Sequence, residues 1–163
     1  MGGVPIQPTD ARRYFMLPQS PEESGYYVYG TPAKGAFQYA HPTMMTVLLA
    51  VERKWAALDN RQFGIGNISL ASGPDNDDHD SHEDGLQVDI RPLRQDGLQR
   101  PVSWKQASLY DRIATRKLIG LFFSHPDVTI ILFNDVSTHP RVKPWRGHDN
   151  HFHVALKAPG TLR

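Results

Sequence analysis

Residues 151–154 read His151-Phe152-His153-Val154, and they open a run to Leu156 whose pattern decides the fold. Side chains on a strand point alternately to opposite faces. Phe152 and Val154 therefore turn into a core, while His151 and His153 share the other side. A second alternating run covers residues 86–91, with Leu86, Val88 and Ile90 apolar and Gln87, Asp89 and Arg91 polar. It too reads as a half-buried strand. If the two strands are neighbours, Asp89, His151 and His153 converge on one face.

Outward from these strands the chain alternates between elements. Met44, Leu48, Val51, Trp55 and Leu58 recur at steps of four and three, one face of an amphipathic helix, with Pro42 suited to its first turn. Gly64 and Gly66 punctuate its exit, and residues 65–70 read as a short strand. A polar loop, 72–85, follows and carries His79 and His82. Ser108 and Asp111 resemble a capping box opening a second helix, whose Tyr110, Ala114, Leu118 and Leu121 share a face and which Pro126 ends. Residues 128–133 form a β-rich apolar run. Residues 1–25 read as an irregular arm, and glycine, proline and tyrosine interrupt the chain up to residue 40. The tyrosines of that segment are expected to bury their rings and leave their hydroxyls wet. The expectation is an α+β fold over 1–163 as one domain: a small, mostly antiparallel sheet flanked by two main helices.

Composition narrows the chemistry. The chain has 163 residues, 39% of them hydrophobic, and a formal charge of +1. That balance argues against gripping a polyanion, so no nucleic-acid partner is expected. No apolar stretch approaches the ~20 residues that a membrane helix needs, and no membrane insertion is expected. Cysteine is absent and histidine unusually frequent, at eight residues. Any metal site must therefore use nitrogen and oxygen ligands. Two imidazoles and a carboxylate suit a catalytic zinc, which takes three protein ligands and leaves a position open. The competing readings are plainer: surface histidines, and a merely solvated acidic loop. A calcium loop is disfavoured, because no register over 75–84 puts glycine at the sixth and glutamate at the twelfth position.

Two segments carry a family resemblance. Residues 73–90, with His79-Asp80-Ser81-His82, Gly85-Leu86 and Asp89-Ile90, resemble the first motif of the penicillin-insensitive murein endopeptidases. Val142-Lys143-Pro144-Trp145-Arg146-Gly147-His148-Asp149-Asn150-His151-Phe152-His153-Val154 resembles their second. That family sits in a wider group with lysostaphin-type peptidases, D-Ala-D-Ala metallopeptidases and the hedgehog domain. The resemblance implies one zinc per chain, held by His82, Asp89 and His153 on a small antiparallel sheet. It makes His151 the catalytic histidine beside the metal and His148 an assisting one. It implies hydrolysis of peptidoglycan between D-alanine and meso-diaminopimelate. Asp78 departs from the family, standing where a glycine commonly precedes the first histidine, and the stretch from 135 to 144 is shorter.

Three further residues have double readings. His79 is a substrate or outer-sphere contact, an extra ligand in a resting form, or a loop histidine. Trp145 lines the cleft or pins its loop into the core. Arg91 orients a substrate carboxylate or pairs with the acidic loop. Alternatives at the level of function are a zinc D,D-carboxypeptidase or dipeptidase on uncrosslinked stems, and a non-catalytic wall- or protein-binding module. The first residues lack the basic and apolar regions of a secretory signal. The expectation is an enzyme acting at the peptidoglycan layer that is processed, phage-encoded or delivered by a secretion system. A delivered toxin would have an inhibitor or immunity protein as partner.

Overall fold

The computed structural model describes residues 7–19, 23–72 and 82–160. His79 and most of the acidic loop lie outside them. The elements in chain order are β1 (Phe15–Met16), β2 (Tyr26–Val28), β3 (Tyr39–Ala40), α1 (Pro42–Ala56), β4 (Phe63–Ile65), β5 (Gln87–Arg91), α2 (Arg112–Phe123), β6 (Val128–Leu132), β7 (Val142–Lys143) and β8 (Phe152–Leu156). The fold is α+β. A six-stranded sheet runs in the order β2-β4-β5-β8-β6-β7, and β1 pairs with β3 in a separate ribbon. The central pairings, β4-β5, β5-β8 and β8-β6, are antiparallel, whereas both edge pairings are parallel.

One face of this sheet meets the helices. Trp55 of α1 and Phe122 of α2 reach Phe63 of β4, with ring centroids 6.4 and 6.2 Å apart, and Phe152 of β8 lies 5.9 Å from Phe122. These rings are essentially inaccessible to solvent. Burial of each is worth roughly 2–3 kcal/mol relative to exposure. The other face carries Gln87, Asp89 and Arg91 of β5, which are half-buried between the fully buried Val88 and Ile90.

Local differences from the sequence pattern have local causes. α1 stops at Ala56, so Leu58 falls outside it and is 62% exposed. Its cap is His41, whose side chain accepts from the Thr43 N–H, and Pro42 occupies the first turn. The strand expected over 65–70 sits earlier, at Phe63–Ile65, because pairing with β2 and β5 there outweighs the β-forming residues downstream. Asp111 and not Ser108 caps α2, accepting from the Ala114 N–H at 2.9 Å. That helix ends at Phe123, ahead of Pro126. The arm is more ordered than expected where described. Arg12 binds the Asp10 carboxylate, Ser69 and the Leu70 carbonyl, which ties residues 10–12 to the segment after β4. The tyrosine hydroxyls are not generally wet: Tyr26 donates to Pro18, and the Tyr29 oxygen is buried.

Candidate metal centre

Register brings the site together. In the β5-β8 pair Asp89 stands directly opposite His153, and Val88 opposite Val154. Opposed residues on one face of an antiparallel pair hold their Cβ atoms about 5 Å apart, so the carboxylate and the imidazole meet. Asp89 Oδ1 lies 3.1 Å from His153 Nδ1. His82 arrives from the loop before β5. The chain reverses at Gly85, whose φ of 71° suits glycine and whose absent Cβ would lie 2.7 Å from the His41 nitrogen. Any side chain at 85 is thus disfavoured twice. The reversal sets His82 Nε2 3.3 Å from Asp89 Oδ1.

The outward nitrogens are also occupied. His82 Nδ1 is 3.0 Å from the Ile68 carbonyl, which can only accept, so Nδ1 is placed to donate there while Nε2 faces Asp89. His153 Nε2 is 2.8 Å from Gln87 Oε1, and Nδ1 turns inward to Asp89. Outer hydrogen bonds of this kind fix the ring orientation of metal-binding histidines, and an ion would take the place of any inner proton. The three donor atoms lie within 4.8 Å of one another. Donors bound to one tetrahedral zinc at about 2.0–2.1 Å are separated by roughly 3.3–3.4 Å. The two Asp89 distances lie close to that value. His82, Asp89 and His153 could hold a metal ion.

The electrostatics agree. Burial works to raise the Asp89 pKa, but hydrogen bonds from His153 and His82 and the nearby imidazole charge outweigh it and hold the carboxyl far below its usual range. Burial lowers the His82 pKa, yet the Asp89 hydrogen bond and charge more than compensate and leave it raised. His151 differs. Its pKa is lowered, first by burial and then by His148, His153 and His82, against the pull of Asp89.

Residue spacing on its own grouped Asp89, His151 and His153. The structure puts His151 at the margin of that group, with Nε2 3.9 Å from Asp89 Oδ1 and Nδ1 bonded to Asn150 Oδ1 at 2.9 Å. His148 stacks obliquely on it, ring centroids 4.7 Å apart, and lies 5.9 Å from His153. Both sit on the loop before β8. Asn134, just beyond β6, braces that loop: its N–H binds the His148 carbonyl, its Oδ1 the Trp145 N–H, and its Nδ2 the Asp149 carboxylate. Trp104 and Lys105 bind the same carboxylate, and with Asn134 they hold its pKa down to about 2. Trp145 is 63% exposed, so it does not pin the loop into the core. Arg91 has its guanidinium 3.8 Å above the Tyr29 ring and no acidic partner among the described residues.

Gln87 and Asn134 were not legible as site residues. Gln87 was visible on Asp89's face of β5, but only the strand register puts it against His153. Asn134 has no local signal at all, because its partners lie 11 to 15 residues away.

The chain has relatives of known name. It is 28% identical over 149 residues to the penicillin-insensitive murein endopeptidase of Escherichia coli O1:K1 / APEC, covering 74% of this chain and 54% of that protein. The enzyme of the same name from Escherichia coli strain SMS-3-5 / SECEC matches to the same extent. The similarity is to murein endopeptidases. The chain spans about half the length of these curated relatives. No protein-family model matches it.

Proposed function

We propose that this chain is a zinc-dependent peptidoglycan hydrolase that cuts the D-alanyl–meso-diaminopimelyl cross-link. One observation carries the reading. The outward nitrogens of His82 and His153 are held by the Ile68 carbonyl and Gln87, and their inward nitrogens, with Asp89, converge on one point. The similarity to murein endopeptidases supports the substrate class.

In this reading His82, Asp89 and His153 hold the ion, and zinc supplies the Lewis acidity that amide hydrolysis at neutral pH needs. His151 is the proton carrier. Its Nδ1 is committed to Asn150, and Nε2 faces the centre. Burial lowers its pKa, which favours the neutral ring that can accept. His151 takes a proton from the attacking water as the C–O bond forms, then gives it to the departing amine as the C–N bond breaks. His148, with Nδ1 3.1 Å from the Arg146 carbonyl, turns Nε2 toward the substrate side and assists. Trp145 offers an exposed apolar wall for the peptide. His79 is assigned to substrate or outer-sphere contact from the resemblance alone. The enzyme would work at the peptidoglycan layer.

The test pairs metal analysis with digestion of cross-linked muropeptides. Wild type should hold one zinc and convert dimers to monomers. His153→Ala should lose metal and activity, and His151→Ala activity alone. Release of terminal D-alanine without loss of dimers would make the enzyme a carboxypeptidase instead. Wild type without stoichiometric zinc sinks the proposal.

A further inference from the structure

Beside the metal centre the structure holds a second arrangement that hydrolysis itself does not use. Strand alternation sets Arg91 on the same sheet face as Asp89, one pleat further along β5. Its guanidinium carbon lies 3.8 Å from the centroid of the Tyr29 ring, within cation–π range. The same guanidinium acts on the Tyr27 hydroxyl, pulling its pKa down against the larger effect of burial, which leaves it raised. Beneath the rings, glycines clear the way. A Cβ on Gly66 would come within 2.5 Å of the Tyr29 ring, and one on Gly64 within 2.9 Å of the Tyr27 ring. The guanidinium is thus laid on a tyrosine that itself rests on bare backbone, and it is held in place before any ligand arrives.

Arg91, Tyr29, Pro101, Asn150, Asp89 and His151 line one cavity of about 190 Å³. At ~30 Å³ per water that is space for roughly six waters, or for one small amino-acid residue. Tyr29 forms part of its wall, and the hydroxyl oxygen of that residue is buried without a hydrogen-bond partner among the described residues. A buried polar atom left unpaired marks a place whose polar partner is absent. Asp89 makes its ion pairs with His82, His153 and His151 and forms none with Arg91.

We infer that this cavity is a carboxylate subsite, in which Arg91 binds a free carboxylate of the substrate next to the bond being cut. A planar, pre-positioned guanidinium with no acidic partner among the described residues matches the two oxygens of a carboxylate, and an ammonium group would not reproduce that fork. Sharing Asp89 and His151 with the metal centre sets the bound carboxylate within one residue of the scissile amide. The identity of the ligand as a peptide rests on the function proposed above; the anion preference does not.

The experiment uses the full zinc-loaded chain and two probes, N-acetyl-D-alanine and its carboxamide, with affinities measured by calorimetry. Wild type should prefer the acid. Arg91→Ala should weaken the acid about 10- to 100-fold, leave the amide within about twofold, and retain its zinc. Arg91→Lys should fall between, because it keeps the charge and loses the fork. If the preference for the acid survives in Arg91→Ala, the carboxylate goes to the metal and the inference is overturned. It is overturned equally if wild type does not distinguish the probes. Digestion of cross-linked dimers separates the two proposals. A wild type that cuts no dimers, yet binds the acid through Arg91, refutes the hydrolase reading and leaves the subsite standing.

Discussion

His82 and His153 differ from His148 and His151 in what holds them. The first two have side chains only 3% and 7% exposed, and each holds its outer nitrogen against a fixed oxygen, the Ile68 carbonyl or Gln87 Oε1. The second two bond within their own loop, to Asn150 and the Arg146 carbonyl, and His151 is 26% exposed. The remaining described histidines behave in a third way. Nδ1 of His41, His125 and His139 accepts the N–H two residues ahead, at 3.1, 3.2 and 3.1 Å, which is a turn-closing role. One residue type is therefore held in three ways, separated by which nitrogen is occupied and by what. A ligand must be immobile and unprotonated on its inner side. A proton carrier must instead keep one nitrogen open and reachable from the substrate.

The largest test of this contrast is to remove one histidine of each kind. His82→Ala should abolish stoichiometric zinc and muropeptide hydrolysis together, whereas His148→Ala should keep full zinc and lose only rate. Metal analysis beside a digestion assay reads both, and zinc loss in His148→Ala would erase the distinction.

Next is the loop's support. Asn134→Ala removes the side-chain bonds to Trp145 and Asp149. It should lower kcat/KM by about 100-fold with zinc intact, since small misplacements of catalytic groups are expensive. An unchanged rate would mean that the loop holds His148 and His151 without Asn134.

Gln87→Ala probes the sheet side. It should weaken zinc binding about 10- to 100-fold in a chelator competition, with the fold unchanged by circular dichroism. Equal affinity would show that β5-β8 register alone orients His153.

The smallest effect should come from Asp135, buried beside Asn134 and bonded by Tyr110, Arg112 and Ser137. Burial acts to raise its pKa, but those bonds prevail and lower it. A depressed carboxyl contributes stability above its unfolded pKa of about 3.9 and loses it as pH falls through the folded value. Asp135→Asn should accordingly cost about 1–3 kcal/mol at pH 7 and progressively less in acid, by denaturant titration at each pH. A pH-independent loss would exclude the ionised carboxylate as its cause.

Much of this was legible beforehand. The alternation in 86–91 and in 151–156, the helix face of Met44, Leu48, Val51 and Trp55, and the nitrogen-and-oxygen ligand chemistry of a cysteine-free chain all follow from neighbours in sequence. Element ends were less legible. Leu58 fits a helical period yet lies beyond the helix, and the Phe63–Ile65 strand is chosen by its partners on both sides. The Trp145 ring could not be placed either, because whether it packs or projects depends on where Asn134 holds its loop.

What the sequence by itself determined is which faces are apolar and which donors are available, since both are properties of side chains a few residues apart. The tertiary structure alone decided which histidines become a set. His82 joins Asp89 and His153 because a glycine turn and the Ile68 carbonyl aim it there, and Asp89 meets His153 because β5 and β8 pair in one register out of several. A shift of one residue would send Asp89 or His153 to the opposite face. Long-range pairing set that register, and no short stretch of the chain contains it.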